Sequence, residues 1–210
     1  MTRNMPRAVR AHALQIARHE MGHYVMARAL GFATGGVTLS VTLDLRHRGG
    51  AAITLALPIA SMAVMQAHLE ARMMVLFAGV MAQTLSSARV DKSKAVAILK
   101  GALGAEHDYA KIKELQHLLR NITFPETDPG SSGRIAAELK SITDRVWERT
   151  QTVVEHLSGT IIELGGLLVD GMAIVEQWGR AADTYEVVFS REMLEGLPSV
   201  QAIPALKTWP

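Results

Sequence analysis

Five residues, His19-Glu20-Met21-Gly22-His23, restrict what this chain can fold into more than any other feature. Side chains four apart on an α-helix lie about one turn apart on the same face. An H-E-x-x-H run in a helix lets both imidazoles turn a nitrogen toward one metal ion, with the glutamate beside them to accept a proton from water. The flanks suit a packed helix. Leu14, Ile16, Met26, Ala27 and Leu30 are apolar, and Gly31 follows as a stop. With the His and Glu content of this chain the pattern would assemble by chance about 2% of the time, so it carries information. Gly22 sits where glycine costs a helix about 1 kcal/mol against alanine, which implies that another backbone or a substrate comes close.

A catalytic zinc takes three protein ligands and leaves a position for water. The chain has no cysteine, so disulfides and thiolate sites are excluded and the ligands must be His, Asp or Glu. Spacing alone leaves Glu70, Asp91, Glu106, His107 and Asp108 open as the third. His107 and Asp108 are consecutive and point about 100° apart on a helix, so they do not both serve one ion. His12, His47, His68, His117 and His156 read as solvated or hydrogen-bonded surface groups.

The 210 residues are 49% hydrophobic but only 5% aromatic, with 11 methionines, which points to one domain with a helical Leu/Ala/Met/Val core. A net charge of +2 with dispersed bases gives no electrostatic footprint for nucleic acid. The most apolar stretch, 51–65, contains Pro58 and is shorter than the roughly 20 residues of a bilayer span. Arg3, Arg7 and Arg10 are followed by no apolar segment of signal-peptide length. The expectation is a cytoplasmic protein without a membrane span.

The periodicity predicts a first helix from near Asn4, with Pro6 in its first turn, to Leu30. Val37 to Leu45 then alternates as a half-buried strand, Arg46 to Gly50 turns, and Ala51 to Leu57 returns as a hairpin. Ser61 caps a long helix through about Leu85, and shorter helices follow over Lys92–Leu103 and Ala105–Leu119. Residues 123–133, with two prolines and little aliphatic content, read as a loop or mobile flap. Helices are expected over Arg134–Leu157 and Thr160–Trp178, a small strand over Tyr185–Phe189, and a last short helix capped by Ser190 and ending near Gly196. The predicted fold is mainly α with a small β-hairpin, in a single domain over 1–210. It divides into a metal-site portion (1–122), the loop (123–133), a C-terminal helical portion (134–197) and a loose tail (198–210).

Ala17 to Gly31 (ARHEMGHYVMARALG) resembles the H-E-A-G-H helix of the peptidase domain of FtsH, the membrane-anchored AAA protease. Residues 78–85 (AGVMAQTL) resemble that family's A-G-R-x-A-E-E-[LI] segment. Residues 104–115 (GAEHDYAKIKEL) resemble its G-A-x-x-D-[LIF]-x-x-A-T segment. The stretch from Asp183 to Leu197 falls where the family's closing segment lies. The resemblance implies an FtsH peptidase-domain-like (zincin-like) helical fold, Zn²⁺ as cofactor, and Asp108 as the third ligand beside His19 and His23. It also implies endopeptidase action on peptides or unfolded proteins, with Glu20 as general base. Gln83 and Thr84 replace the family's acidic pair, and the stretch from Ser86 to Leu103 is longer than the family's loop. No G-x-x-x-x-G-K-[ST] occurs, so there is no ATPase in this chain. A separate ATPase partner and homo-oligomerisation stay open.

An exposed edge strand over Val37 to Leu45 would hold an extended peptide by main-chain hydrogen bonds. Two rival readings remain. One is a peptidase-like zinc-binding module that serves regulation or protein interaction without turnover. The other is a small H-E-x-x-H peptidase in which Glu70 or Glu106 is the third ligand.

Overall fold

Apolar residues at helical spacing fold residues 7–29 into α1 (Arg7–Ala29) in the computed structural model, which describes residues 5–102, 105–175 and 184–206. Pro6 occupies its cap position with φ −57°, feeding preset backbone into the first turn; Asn4, the expected cap, lies outside the described residues. α2 (Met62–Gln83) starts as the sequence indicates, with Ser61 Oγ accepting the Val64 N–H at 3.2 Å. α2 crosses α1 at Gly22. A Cβ there would lie 2.6 Å from the Ala78 carbonyl oxygen and 2.6 Å from Ala82 Cβ. The backbone that this glycine admits is therefore that of a neighbouring helix.

The predicted hairpin is half of a larger sheet. β1 (Ala33–Thr42), β2 (His47–Thr54), β3 (Ala173–Val175) and β4 (Thr184–Phe189) are antiparallel in the order β2-β1-β4-β3. The hairpin turn falls at 43–46 instead of 46–50. There the Thr42 N–H donates to the Arg46 carbonyl at 2.9 Å, Arg46 Nε donates to Asp44 at 2.8 Å, and Leu45 takes φ 65°. Gly49 and Gly50, expected in the turn, are extended opposite Leu39 and Thr38. β1 is not an edge strand either. β4 covers its other side, with Val37 opposite Phe189 and Val41 opposite Tyr185, and the edge strands are β2 and β3. Val37, Leu39 and Val41 are buried, an alternation that interior and edge strands of a one-sided sheet share.

α3 (Lys92–Ala97), capped by Asp91, runs into a π-turn over Ile98–Ala102 where Gly101 takes φ 106°; Leu103, its expected end, lies outside the described residues. α4 (Glu106–Thr123) and α5 (Ser132–His156) flank the Pro/Gly-rich break, which is a pinned loop and not a flap. Glu138 on α5 accepts hydrogen bonds from Thr127 at 2.7 Å, Arg120 at 2.8 Å and Arg134 at 3.0 Å, tying the loop to both helices. α6 (Ser158–Asp170) follows at a 68° bend and stops at Gly171, from which the chain enters β3; Trp178, its expected end, lies outside the described residues.

α7 (Arg191–Glu195) is capped by Ser190 as expected. The stretch expected to be a loose tail contains α8 (Pro198–Gln201), and the Leu206 N–H donates to the Ala29 carbonyl at 2.8 Å; residues 207–210 lie outside the described residues. One hydrophobic core joins these elements, from Val9 on α1 to Val200 on α8. The protein is mainly helical (63%) with a small four-stranded antiparallel sheet. Among the described residues, no single helix is long and apolar enough to cross a membrane.

Candidate metal centre

The i, i+4 spacing on α1 places His19 and His23 side by side, with ring centroids 4.6 Å apart, facing α2 and the first turn of α4. Their Nε2 atoms are 3.0 Å apart, and Asp108 Oδ2 lies 3.3 Å from that of His19 and 3.0 Å from that of His23. Four-coordinate zinc with bonds of about 2.0–2.1 Å has ligand atoms about 3.3 Å apart. The three donors therefore form a slightly contracted face of such a polyhedron, and among the described residues this His/Asp set could hold a metal ion.

The far side of each ring is fixed. His23 Nδ1 donates to the Val75 carbonyl at 2.7 Å, and His19 Nδ1 donates to Gln83 Oε1 at 3.0 Å. With Nδ1 donating outward, each ring turns its Nε2 toward Asp108, and such outer hydrogen bonds are what orient metal-binding imidazoles. Gln83 stands where the resemblance expects an acid, and it supplies an amide oxygen in place of a carboxylate. Thr84, the other departure, donates to the Met81 carbonyl and closes the end of α2.

Burial opposes charge on both Asp108 and His23, yet their contact outweighs it. The two imidazoles hold the Asp108 carboxyl well below the usual carboxylate range, while Asp108, with Glu20 and the Val75 carbonyl, holds His23 above its ordinary value. A partly buried carboxylate kept ionised beside two imidazole nitrogens suits a divalent cation.

Gly79 makes this arrangement sterically possible. A Cβ at that position would fall 2.5 Å from His23 Nε2 and 2.8 Å from His19 Nε2. Gly79→Ala is expected to weaken metal binding by about ten- to a hundredfold, the scale of disturbing groups that orient metal ligands. Helicity should not fall, since alanine is the better helix former. Competitive chelator titration alongside far-UV circular dichroism checks both.

Glu20 is buried, makes no hydrogen bond to a described residue, and packs against Gly49 of β2, where a Cβ would lie 2.8 Å from its Cδ. It opens onto a cleft of about 410 Å³ walled by α1, α2 and α4 on one side and by residues 49–55 on the other.

The other third-ligand candidates are placed elsewhere. Glu70 binds Arg145 and Arg149, Asp91 caps α3, and Glu106 is exposed in the first turn of α4. His107 is exposed at the rim of the cleft. His12 and His47, read as solvated or hydrogen-bonded surface groups, meet each other, with His12 Nε2 3.1 Å from His47 Nδ1, linking α1 to β2. The contributions of Val75, Gly79 and Gln83 are not visible in the sequence, because each acts through the crossing of α2 over α1. No protein-family model matches this chain, and no curated protein matches it in sequence.

Proposed function

We propose that this protein is a zinc-dependent metallopeptidase that hydrolyses peptide bonds in peptides or unfolded proteins without ATP, with a fold related to the FtsH peptidase domain. The observation that carries this reading is the convergence of His19, His23 and Asp108 within 3.3 Å of one another, with Glu20 beside them in the same cleft. His19, His23 and Asp108 would hold the ion. Zinc in such a site acidifies water and polarises a carbonyl oxygen.

The chain's own residues do the rest. Glu20 takes one proton from the attacking water as its oxygen bonds to the scissile carbonyl carbon, then delivers that proton to the amine as the C–N bond breaks. Gln83 and the Val75 carbonyl keep both Nε2 atoms aimed inward. β2, and not β1, is the strand suited to bind substrate. It is an edge strand of the sheet and Gly49–Ala51 line the cleft, so an extended peptide can add along its free edge. Such pairing requires an unfolded segment.

The test is metal analysis of the purified protein together with cleavage of one labelled protein in its native and permanently unfolded forms. One zinc per chain, cleavage of the unfolded form alone, and no response to ATP are the expected results. Two imidazoles and a carboxylate also suit non-haem iron, so iron without zinc would overturn the metal assignment. Bound zinc with no cleavage across many unfolded substrates would move the non-hydrolytic regulatory reading ahead.

A further inference from the structure

Two cations of the cleft, Arg72 on α2 and Lys111 on α4, have no role in the peptidase chemistry described above. Arg72 is the more informative. It is half-buried, yet it makes no hydrogen bond or ion pair with any described residue. Its five N–H donors stay solvent-accessible at the cleft and so are available to an incoming acceptor. Burial lowers its pKa from the ordinary value, and the charge of Asp108 only partly opposes this.

Its position is set by helical spacing. Arg72 precedes Val75 and Gly79 on α2, the residues that touch the outer and inner sides of the imidazoles. At 1.5 Å rise per residue its Cα lies about 4.5 Å along the axis from Val75. Lys111 follows Asp108 by one turn on α4. The cleft's two acids, Glu20 and Asp108, balance the two charges of a divalent ion. With the histidines neutral, Arg72 and Lys111 leave an excess of positive charge on the wall facing β2, which attracts an anion.

We propose that Arg72, with Lys111 at the rim, forms a carboxylate-binding subsite that selects peptides carrying a carboxylate near the scissile bond. The carboxylate comes from an Asp or Glu side chain or from a free C-terminus. An extended peptide advances about 3.3 Å per residue, so it lies roughly one to three residues from the bond that is cut. A guanidinium fork pairs with a carboxylate through two parallel N–H···O bonds, which a neutral amide cannot reproduce. This inference deepens the peptidase reading and rests on it.

The test reads binding apart from turnover. Zinc-loaded Glu20→Gln is titrated by fluorescence anisotropy with labelled unfolded peptides of one host sequence. Glu or Gln is placed at successive positions, and each peptide carries either a free or an amidated C-terminus. At the preferred position, Glu or the free C-terminus should bind at least about tenfold tighter than its neutral counterpart; the Glu/Gln and acid/amide arms separate the two sources. Adding Arg72→Gln should cut this preference to under about twofold with zinc content unchanged, whereas Arg72→Lys should retain part of it.

A preference that survives Arg72→Gln, or one that disappears on removing zinc while Arg72 is intact, places the carboxylate on another group and overturns the proposal. So does the absence of any preference. If wild type cleaves nothing while Glu20→Gln still discriminates through Arg72, the subsite stands and the peptidase reading falls. If wild type cleaves acidic and neutral peptides equally, the subsite falls and the peptidase reading stands.

Discussion

Replacing Glu20 with glutamine is expected to leave the metal bound and to lower turnover of an unfolded substrate by at least about a hundredfold, the usual scale for removing a general base. The two halves of this result have separate causes. The atoms that could hold a metal belong to His19, His23 and Asp108, and Glu20 makes no hydrogen bond to any of them that would be lost. Glutamine also fills the same space against Gly49, so the wall of the cleft keeps its shape. What disappears is a basic oxygen. Single-turnover assays with metal analysis of the same sample check the prediction, and unchanged hydrolysis in the variant would assign the activity to a contaminant or another site.

Removing the carboxylate of Asp108 should have the opposite signature. Asp108→Ala is expected to reduce zinc affinity by at least about a hundredfold, because it removes one of only three protein ligands of a catalytic site. Glu70→Ala, which the alternative peptidase reading would make equally damaging, should leave zinc affinity within a few-fold. Glu70 is held by Arg145 and Arg149, so its loss loosens the α2–α5 contact and not the ion. Competition with a fluorescent chelator distinguishes the two variants, and a larger loss in Glu70→Ala would remove Asp108 from the site.

What the sequence made legible is local. The H-E-x-x-H helix, the Ser61 and Ser190 caps, and the alternation of β1 follow from spacings of a few residues, and each is present. Contacts between distant segments were not legible. Spacing left five candidates beside His19 and His23, and only the resemblance singled out Asp108, which sits 85 residues beyond His23. The Gly49-Gly50 pair read as a turn because glycine pairs usually mark one. Gly49 is instead extended in β2, with no side chain because Glu20 packs there. Residues 123–133 read as mobile from their prolines and glycines, whereas Glu138 fastens them from a helix whose charge pattern looks ordinary. The loss of the acidic pair was visible in the sequence, but the use of Gln83 as the acceptor for His19 Nδ1 was not.

The pairing of β1 with β4 also ties the cleft to the order of synthesis. β1 ends at Thr42 and β4 begins at Thr184, so at about 5–20 residues per second the partner strand follows roughly 7–30 s later. During that interval β1 has one unpaired side, and the sheet whose outer strand walls the cleft is incomplete. A nascent chain is itself an unfolded polypeptide. On the peptidase proposal, the H-E-x-x-H helix and β2 thus emerge well before the strand that completes the sheet behind the cleft wall, and a half-made molecule lacks the finished cleft in which to cut itself or its neighbours on the same message.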